Sequence, residues 1–393
     1  MKLIRQCAVL LLFSATGATA GDFRVLNEKL VKNGDDKGSN AVAFSPDGTI
    51  IVSSHHHPEQ IPPQLRQGGF RRWSRLRVWD TESGEQLQVG ELVPGFMQAL
   101  EFLPDGRTLV ASRCLSGGEV VFWSLADSER GSIWRKPKLL RELGIASDPP
   151  PQHIQSNFIA THLTLSPDGE TLAASASYGS TGNTSAIRVW ARSGDSQEFV
   201  SREAPDFFIN SFCFSSDGRT LITHVAQQVP HRGTLVTGRD VSNLDSIVFQ
   251  HAISDGPGLT THCAGLAAIP GTSKVLFGTL NQIGIFDIAS GKEVEQIDVG
   301  FDLPVRTIAV SNNGRLAAVF SMTAQGTVAL VDLASQSVVA QKKVFGSRLR
   351  FSPDDRFLAI SGQMVSLWDV AAYSGVDRLS RVQRSRVRLD APP

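Results

Sequence analysis

The sequence has little that marks an enzyme, a membrane protein or a nucleic-acid binder on inspection. Basic and acidic side chains cancel, 38 Lys plus Arg against 38 Asp plus Glu. No global field therefore steers the chain to a polyanion or an anionic lipid surface. Beyond the first twenty residues, no apolar stretch approaches the ~20 residues that a membrane helix requires. Tyrosine is rare (two residues) and cysteine scarce (four), so this is no disulfide scaffold and its stability must come from core packing. There is no Gly-x-Ser-x-Gly elbow, no Cys-x-x-Cys-His haem attachment and no glycine-rich phosphate loop. These absences exclude chemistry carried by a single segment. A site gathered from several strands would leave no local motif.

What is present begins with a targeting segment. Lys2 and Arg5 make a basic start, Cys7 to Phe13 an apolar run too short to span a bilayer, and Ala18-Thr19-Ala20 a small-x-small cleavage pattern. Residues 1–20 are read as a secretory signal peptide cut after Ala20, which makes the mature chain periplasmic or extracellular. Cys7 lacks the small preceding residues of a lipidation site, since Ile4-Arg5-Gln6 stand there. Cys114, Cys213 and Cys263 remain. In an oxidising compartment this odd number leaves at least one thiol unpaired or joined to another molecule.

A repeat then dominates the chain. Phe44-Ser45-Pro46-Asp47-Gly48 recurs as Phe102-Leu103-Pro104-Asp105-Gly106, Leu165-Ser166-Pro167-Asp168-Gly169 and Phe214-Ser215-Ser216-Asp217-Gly218. Worn copies stand at Val310-Ser311-Asn312-Asn313-Gly314 and Phe351-Ser352-Pro353-Asp354-Asp355, and a degenerate one at Ala268-Ile269-Pro270-Gly271. Pro presets the first turn position, Asp caps the turn and Gly accepts the left-handed conformation, so each copy reads as a hairpin turn. Apolar segments such as Ala41 to Phe44 and Ile50 to Val52 flank it, as strands buried on both faces do. Third strands are predicted at Leu76–Asp80, Val120–Ser124, Ile187–Ala191, Thr234–Asp240, Ile283–Asp287, Val328–Asp332 and Val365–Asp369. Two of them end in Trp-Asp, at Trp79-Asp80 and Trp368-Asp369. A more polar fourth strand follows each.

Through these turns and Trp-Asp pairs the chain resembles the WD40-repeat family, in its exported bacterial form, over essentially all of residues 22–370. Propellers of the TolB-like kind, which share the Ser-Pro-Asp-Gly turn, are a more distant resemblance. The implied fold is all-β, a seven-bladed β-propeller of four-stranded antiparallel blades over residues 21–370. The Gly-His pair usual in the family is absent from every copy, so its hydrogen-bond network is not assumed. The seventh unit has three strands, and Phe23 to Leu30 looks like its missing fourth. The N-terminal strand is thus predicted to close the ring, removing open edges. Residues 371–393, with Arg378, Arg381, Arg384, Arg386 and Arg388, are expected to be a disordered tail or a short docking segment.

In a four-stranded meander the second turn of each blade and the connection between blades share one end. The long insertions fall there, at residues 55–74, 143–158, 177–185, 225–232 and 251–262. Long loops in a compact domain carry function more often than the elements they join. All nine histidines lie in these insertions or within a few residues of them. They read either as ordinary polar loop residues, as partner-recognition groups or as metal ligands. On an extended chain His55 and His57 could share one ion, with Glu59 to complete it, although no zinc spacing is matched. Arg66, Phe70, Arg71, Arg72 and Trp73 interleave guanidinium and aromatic groups, which suits an anionic or planar partner. His153, His162, His231 and His262 are further partner-binding candidates, and His162 and His262 lie near the starts of channel-lining strands.

The resemblance implies a non-catalytic scaffold, here an exported one holding a protein, peptide or glycan partner by the long loops of one face. No nucleic acid, membrane span or cofactor is expected, and the ring should be monomeric. The alternative is a metal-assisted hydrolase or lactonase with its site at the central channel mouth.

Overall fold

A computed structural model of the chain describes residues 22–33, 38–60, 72–90, 92–114, 118–124, 138–139, 159–178, 184–191, 196–200, 207–227, 233–253, 265–321, 326–344 and 346–375. Residues 1–21, with the expected signal segment, and residues 376–393, with most of the expected tail, lie outside the described residues. Seven small antiparallel sheets form a ring, a seven-bladed β-propeller. Six sheets have four strands; that of blade one adds the two-residue strand Val93–Pro94 against its third strand. The inner strands are Ser39–Phe44, Phe96–Phe102, Ile159–Leu165, Phe207–Phe214, Leu266–Ala268, Val305–Val310 and Gly346–Phe351. Each touches the next, and that of blade seven returns to that of blade one. No helix among the described residues is long and apolar enough to cross a membrane.

The turns explain why the repeat folds as it does. In blade one Ser45 N donates to Ile50 O and Gly48 N to Ser45 O, and Gly48 has φ +70°. Ser45 Oγ donates to Asp47 Oδ1 at 2.6 Å and accepts Ile50 N at 3.1 Å, so the serine clamps both sides of the turn. The same hydroxyl-to-carboxylate bond recurs at Ser166–Asp168, Ser215–Asp217 and Ser352–Asp354. The serine hydroxyl first, then backbone N–H groups, hold Asp168 and Asp217 below the usual carboxylate range. In blade seven Asp355 occupies the glycine position at φ +57°.

The core is not one mass but seven seams, one between each pair of neighbouring blades. Val42, Ile51 and Trp79 of blade one meet Phe357, Ala359 and Leu367 of blade seven. Leu316, Val328 and Leu330 of blade six meet Leu349, Leu358 and Trp368 of blade seven. Five analogous clusters fill the remaining junctions. Full burial of such an aliphatic or aromatic side chain contributes about 2 kcal/mol.

The N-terminal strand closes the ring. Phe23–Val25 pairs antiparallel with Val365–Asp369, with Phe23 opposite Trp368 and Val25 opposite Ser366. Contrary to a strand running from Phe23 to Leu30, the chain turns at Leu26-Asn27 and forms the helix Glu28–Lys32. The reason is local. Asn27 Oδ1 accepts Val365 N at 2.8 Å, a side chain ending the ladder where the backbone would have continued it. Leu26 and Leu30 then pack on the seam between blades seven and one. At the other end of the chain, Ala371–Ser374 is a short helix ended by Gly375 at φ +73°, with Ala371 and Ser374 buried.

The candidate site at the central channel

Register decides which side chains reach the channel. Counting back from the first turn residue (Ser45, Leu103, Ser166, Ser215, Ile269, Ser311, Ser352), alternate residues share a face. Two positions before the turn stand Ala43, Glu101, Thr164, Cys213, Ala267, Ala309 and Arg350. Four positions before it stand Ala41, Ala99, His162, Ser211, Gly265, Thr307 and Arg348. At or just before this second tier the inner-to-second-strand pairing shifts register in all blades but the fifth, an irregularity that leaves an inner-strand residue out of the ladder there. Eleven of these fourteen residues line a cavity of about 490 Å³ on the axis of the ring.

Two bridges cross this cavity. Arg348 Nη1 of blade seven lies 3.0 Å from His162 Nε2 of blade three. Arg350 of blade seven pairs with Glu101 of blade two. Both arginines span blade one, whose channel positions are alanines, Ala41 and Ala43, and the upper bridge also spans Ala99 of blade two. Small residues there leave the space that the long side chains fill. A guanidinium only donates, so His162 Nε2 accepts and the proton sits on Nδ1. Burial, then the charge of Arg348, push the His162 pKa well below its ordinary value, and the ring is neutral at physiological pH. With Nε2 engaged by Arg348, the imidazole is held as an orienting acceptor and not as a base. Cys213, also on the channel wall, is a free thiol whose pKa burial raises to about 12, which removes its nucleophilic character.

The other histidines lie elsewhere. All six that are described sit in strands, not loops, because the hairpin of blade one continues to Gln60 and resumes at Arg72, and blade four's outer strand runs to Ile253. Segments 55–60, 72–74, 177–178, 184–185, 225–227 and 251–253 of the expected insertions are strand. His55 is buried at 1% exposure. Trp79 Nε1 donates to Ser53 Oγ at 2.7 Å, and Ser53 Oγ lies 2.6 Å from His55 Nε2, a polar relay inside blade one. His57 is half-buried directly opposite Trp73 on the paired strand. His224 is fully buried in blade four, and His251 Nε2 lies 3.2 Å from Glu293 Oε2. Glu59 and Arg72 are placed in these strands by their backbone alone, whereas Arg66, Phe70, Arg71, His153, His231 and His262 lie outside the described residues. Among the described residues no group of three His, Cys, Asp or Glu side chains could hold a metal ion.

Of the sequence candidates, the structure brings His162 to the channel and pairs His57 with Trp73. Arg348, Arg350 and Glu101 were missed. Their signal was available: Arg348-Leu349-Arg350-Phe351 alternates charge with apolar residues in a strand whose counterparts are almost wholly apolar or small. Neither a known family model nor any curated protein matches the chain.

Proposed function

We propose that the chain is an exported, WD40-like binding scaffold that holds a protein, peptide or glycan partner on the face opposite the Ser-Pro-Asp-Gly turns. One observation carries this reading. In blade one the inner strand begins at Ser39, opposite His55, yet the second and third strands run on to Gln60 and from Arg72. The protruding ladder carries His57 opposite Trp73 and leads into the segment with Arg66, Phe70 and Arg71. In blade seven the corresponding strands, Phe357–Gly362 and Val365–Asp369, are joined by two residues. Elaboration on one side of one face is what a partner-specific surface requires, because an unadorned repeat presents the same edge seven times.

The test is capture from a cell-envelope extract, using the mature chain and a variant with residues 61–70 replaced by two glycines. Partner recovery should fall with the shortened hairpin while the thermal transition stays in place. Equal recovery of every partner by both proteins would count against the rim. Protein purified without a histidine tag should carry well under one equivalent of zinc or copper per chain. A stoichiometric ion lost on His55→Ala or His162→Ala would instead favour metal-assisted hydrolysis.

A further inference from the structure

Each blade ends in an outer strand, and such a strand is a sheet edge that a soluble protein blunts with charge, brevity or irregularity. The outer strands of blades three, five, six and seven carry charged side chains, among them Glu198, Glu295, Lys342 and Arg24. Those of blades one and two, Gln86–Val89 and Lys138–Leu139, are short. The outer strand of blade four, Asn243–Ile253, is the exception. It is the longest of the seven, and Ser246-Ile247-Val248-Phe249-Gln250 holds no charge, glycine or proline. Uncharged runs with β-branched and aromatic residues are the kind that pair edge to edge. Among the described residues no strand lies on its outer side.

This edge is held rigidly from behind. Phe249 lies in the space left by Gly238 and stacks on Phe286 of blade five, with ring centres 4.6 Å apart. Leu244 packs into the seam with blade three, and His251 Nε2 lies 3.2 Å from Glu293 Oε2 of blade five. Between these anchors Gly238 faces Phe249 and Arg239 faces Ile247, so Val248 is an extra residue in a bulge. A bulge can twist an edge out of reach of partners. Here it displays two neighbouring apolar side chains, Ile247 at 45% and Val248 at 50% exposure. A pre-organised edge loses little further freedom when it is covered.

We propose that this edge pairs with the same edge of a second copy of the chain, antiparallel about a two-fold axis between Ile247 and Val248. Ile247 of each copy then lies opposite Val248 of the other, Ser246 opposite Phe249, and Asp245 opposite Gln250. The run is self-complementary, as a two-fold interface requires. Apolar side chains meet at its centre, and each exposed Asp245 carboxylate meets the amide of an exposed Gln250. The two Asp245 carboxylates fall at opposite ends, so like charges stay apart. Pairing consumes the edge of both copies, and assembly stops at two. A contact this narrow gives a weak dimer, with Kd about 1–100 μM. The surface lies on the circumference of blade four and does not depend on the rim reading, whose hairpin belongs to blade one. It departs from the monomeric ring expected from the resemblance.

The test is sedimentation velocity of the mature chain over concentrations from about 1 to 200 μM. The average mass should rise from one chain towards two and no further. Val248→Lys sets an ammonium against Ile247 of the second copy and should leave only monomer, with the thermal transition unchanged. Ile247→Asp should do the same. An equimolar mixture of the two variants should dimerise again, because the new lysine then faces the new aspartate. Leu87→Lys, on the outer strand of blade one, should leave the dimer intact. Gln250→Lys places an ammonium opposite Asp245 and should tighten the dimer several-fold at low salt, a gain that mere damage to the edge would not produce. The proposal fails if the wild-type chain stays monomeric throughout, its edge then being left to another protein's strand, or if it grows beyond two chains. It also fails if Val248→Lys dimerises like the wild type, or if the mixture of folded variants stays monomeric. Should Val248→Lys or Ile247→Asp not fold by circular dichroism, Gln250→Lys decides the matter, and unchanged affinity in it overturns the proposal.

Discussion

His224 sits in the second strand of blade four with no exposed surface, and neither ring nitrogen meets a hydrogen-bond partner among the described residues. It lies opposite Val236, in a strand whose Ile222 joins the seam to blade five. Burial lowers its pKa from 6.5 to about 4. Between those values the unfolded chain carries a proton that the folded chain refuses, so stability falls as pH falls. Above pH 6.5 both states are neutral and no pH dependence arises from this group. Across the whole window the loss amounts to about 3 kcal/mol. His162, lowered in the same direction, adds to it. In His224→Leu the drop in unfolding free energy between pH 7.5 and pH 5 should shrink by roughly 2 kcal/mol, as measured by urea titration at both pH values. An undiminished drop would mean that the imidazole is not neutral in the folded ring.

At the scale of the element, the turn of blade seven shows a local rule broken and compensated. Asp355 holds a left-handed backbone that glycine adopts in most other copies of the turn. Its carboxylate reaches the turn of blade six, where Oδ1 accepts Asn312 N at 2.6 Å and Asn312 Nδ2 at 2.8 Å, and Oδ2 accepts Asn313 N at 2.8 Å. Asp355→Gly should relieve the strained φ yet destabilise the ring by about 1–2 kcal/mol, because three bonds to a buried carboxylate outweigh one unfavourable dihedral. A urea midpoint that rises in this variant would reverse that order. Such turns were legible in the sequence because their chemistry is confined to five residues. The third strands were legible for the same reason, and the observed ones begin within a few residues of those predicted. Which strand residues face the channel was not legible. The bridges from Arg348 to His162 and from Arg350 to Glu101 join residues 186 and 249 positions apart, and only the closed ring brings them together. The histidines were placed towards loops on polarity alone. His55 shows why that fails: a serine two residues away and a tryptophan on the next strand supply the polar contact that lets an imidazole be buried.

At the scale of the whole molecule, seven seams make a ring in which no blade is supported unless its neighbours on both sides are present. Six junctions follow the chain from one blade to the next, and the seventh joins the two ends of the sequence. Phe23–Val25 supplies the outer strand of blade seven, and Asp369 N donates to Asp22 O and Leu26 N to Val365 O at 2.8 Å each. Arg356 of blade seven holds Glu82 of blade one through two bonds of 2.7 and 3.0 Å, fastening the same junction from outside. Removing residues 22–32 would strip the strand Val365–Asp369 of its outer partner, exposing an unpaired edge with Trp368 beside it. Such a chain should aggregate on heating and unfold over a broadened transition, followed by light scattering and circular dichroism. Asn27→Ala provides the graded version. It leaves the buried Val365 N without its acceptor and should cost about 1–3 kcal/mol while keeping the transition cooperative. A chain lacking residues 22–32 that melts as sharply and as late as the intact protein would show that the six sequential seams suffice. In that case the N-terminal strand covers an edge without closing the ring.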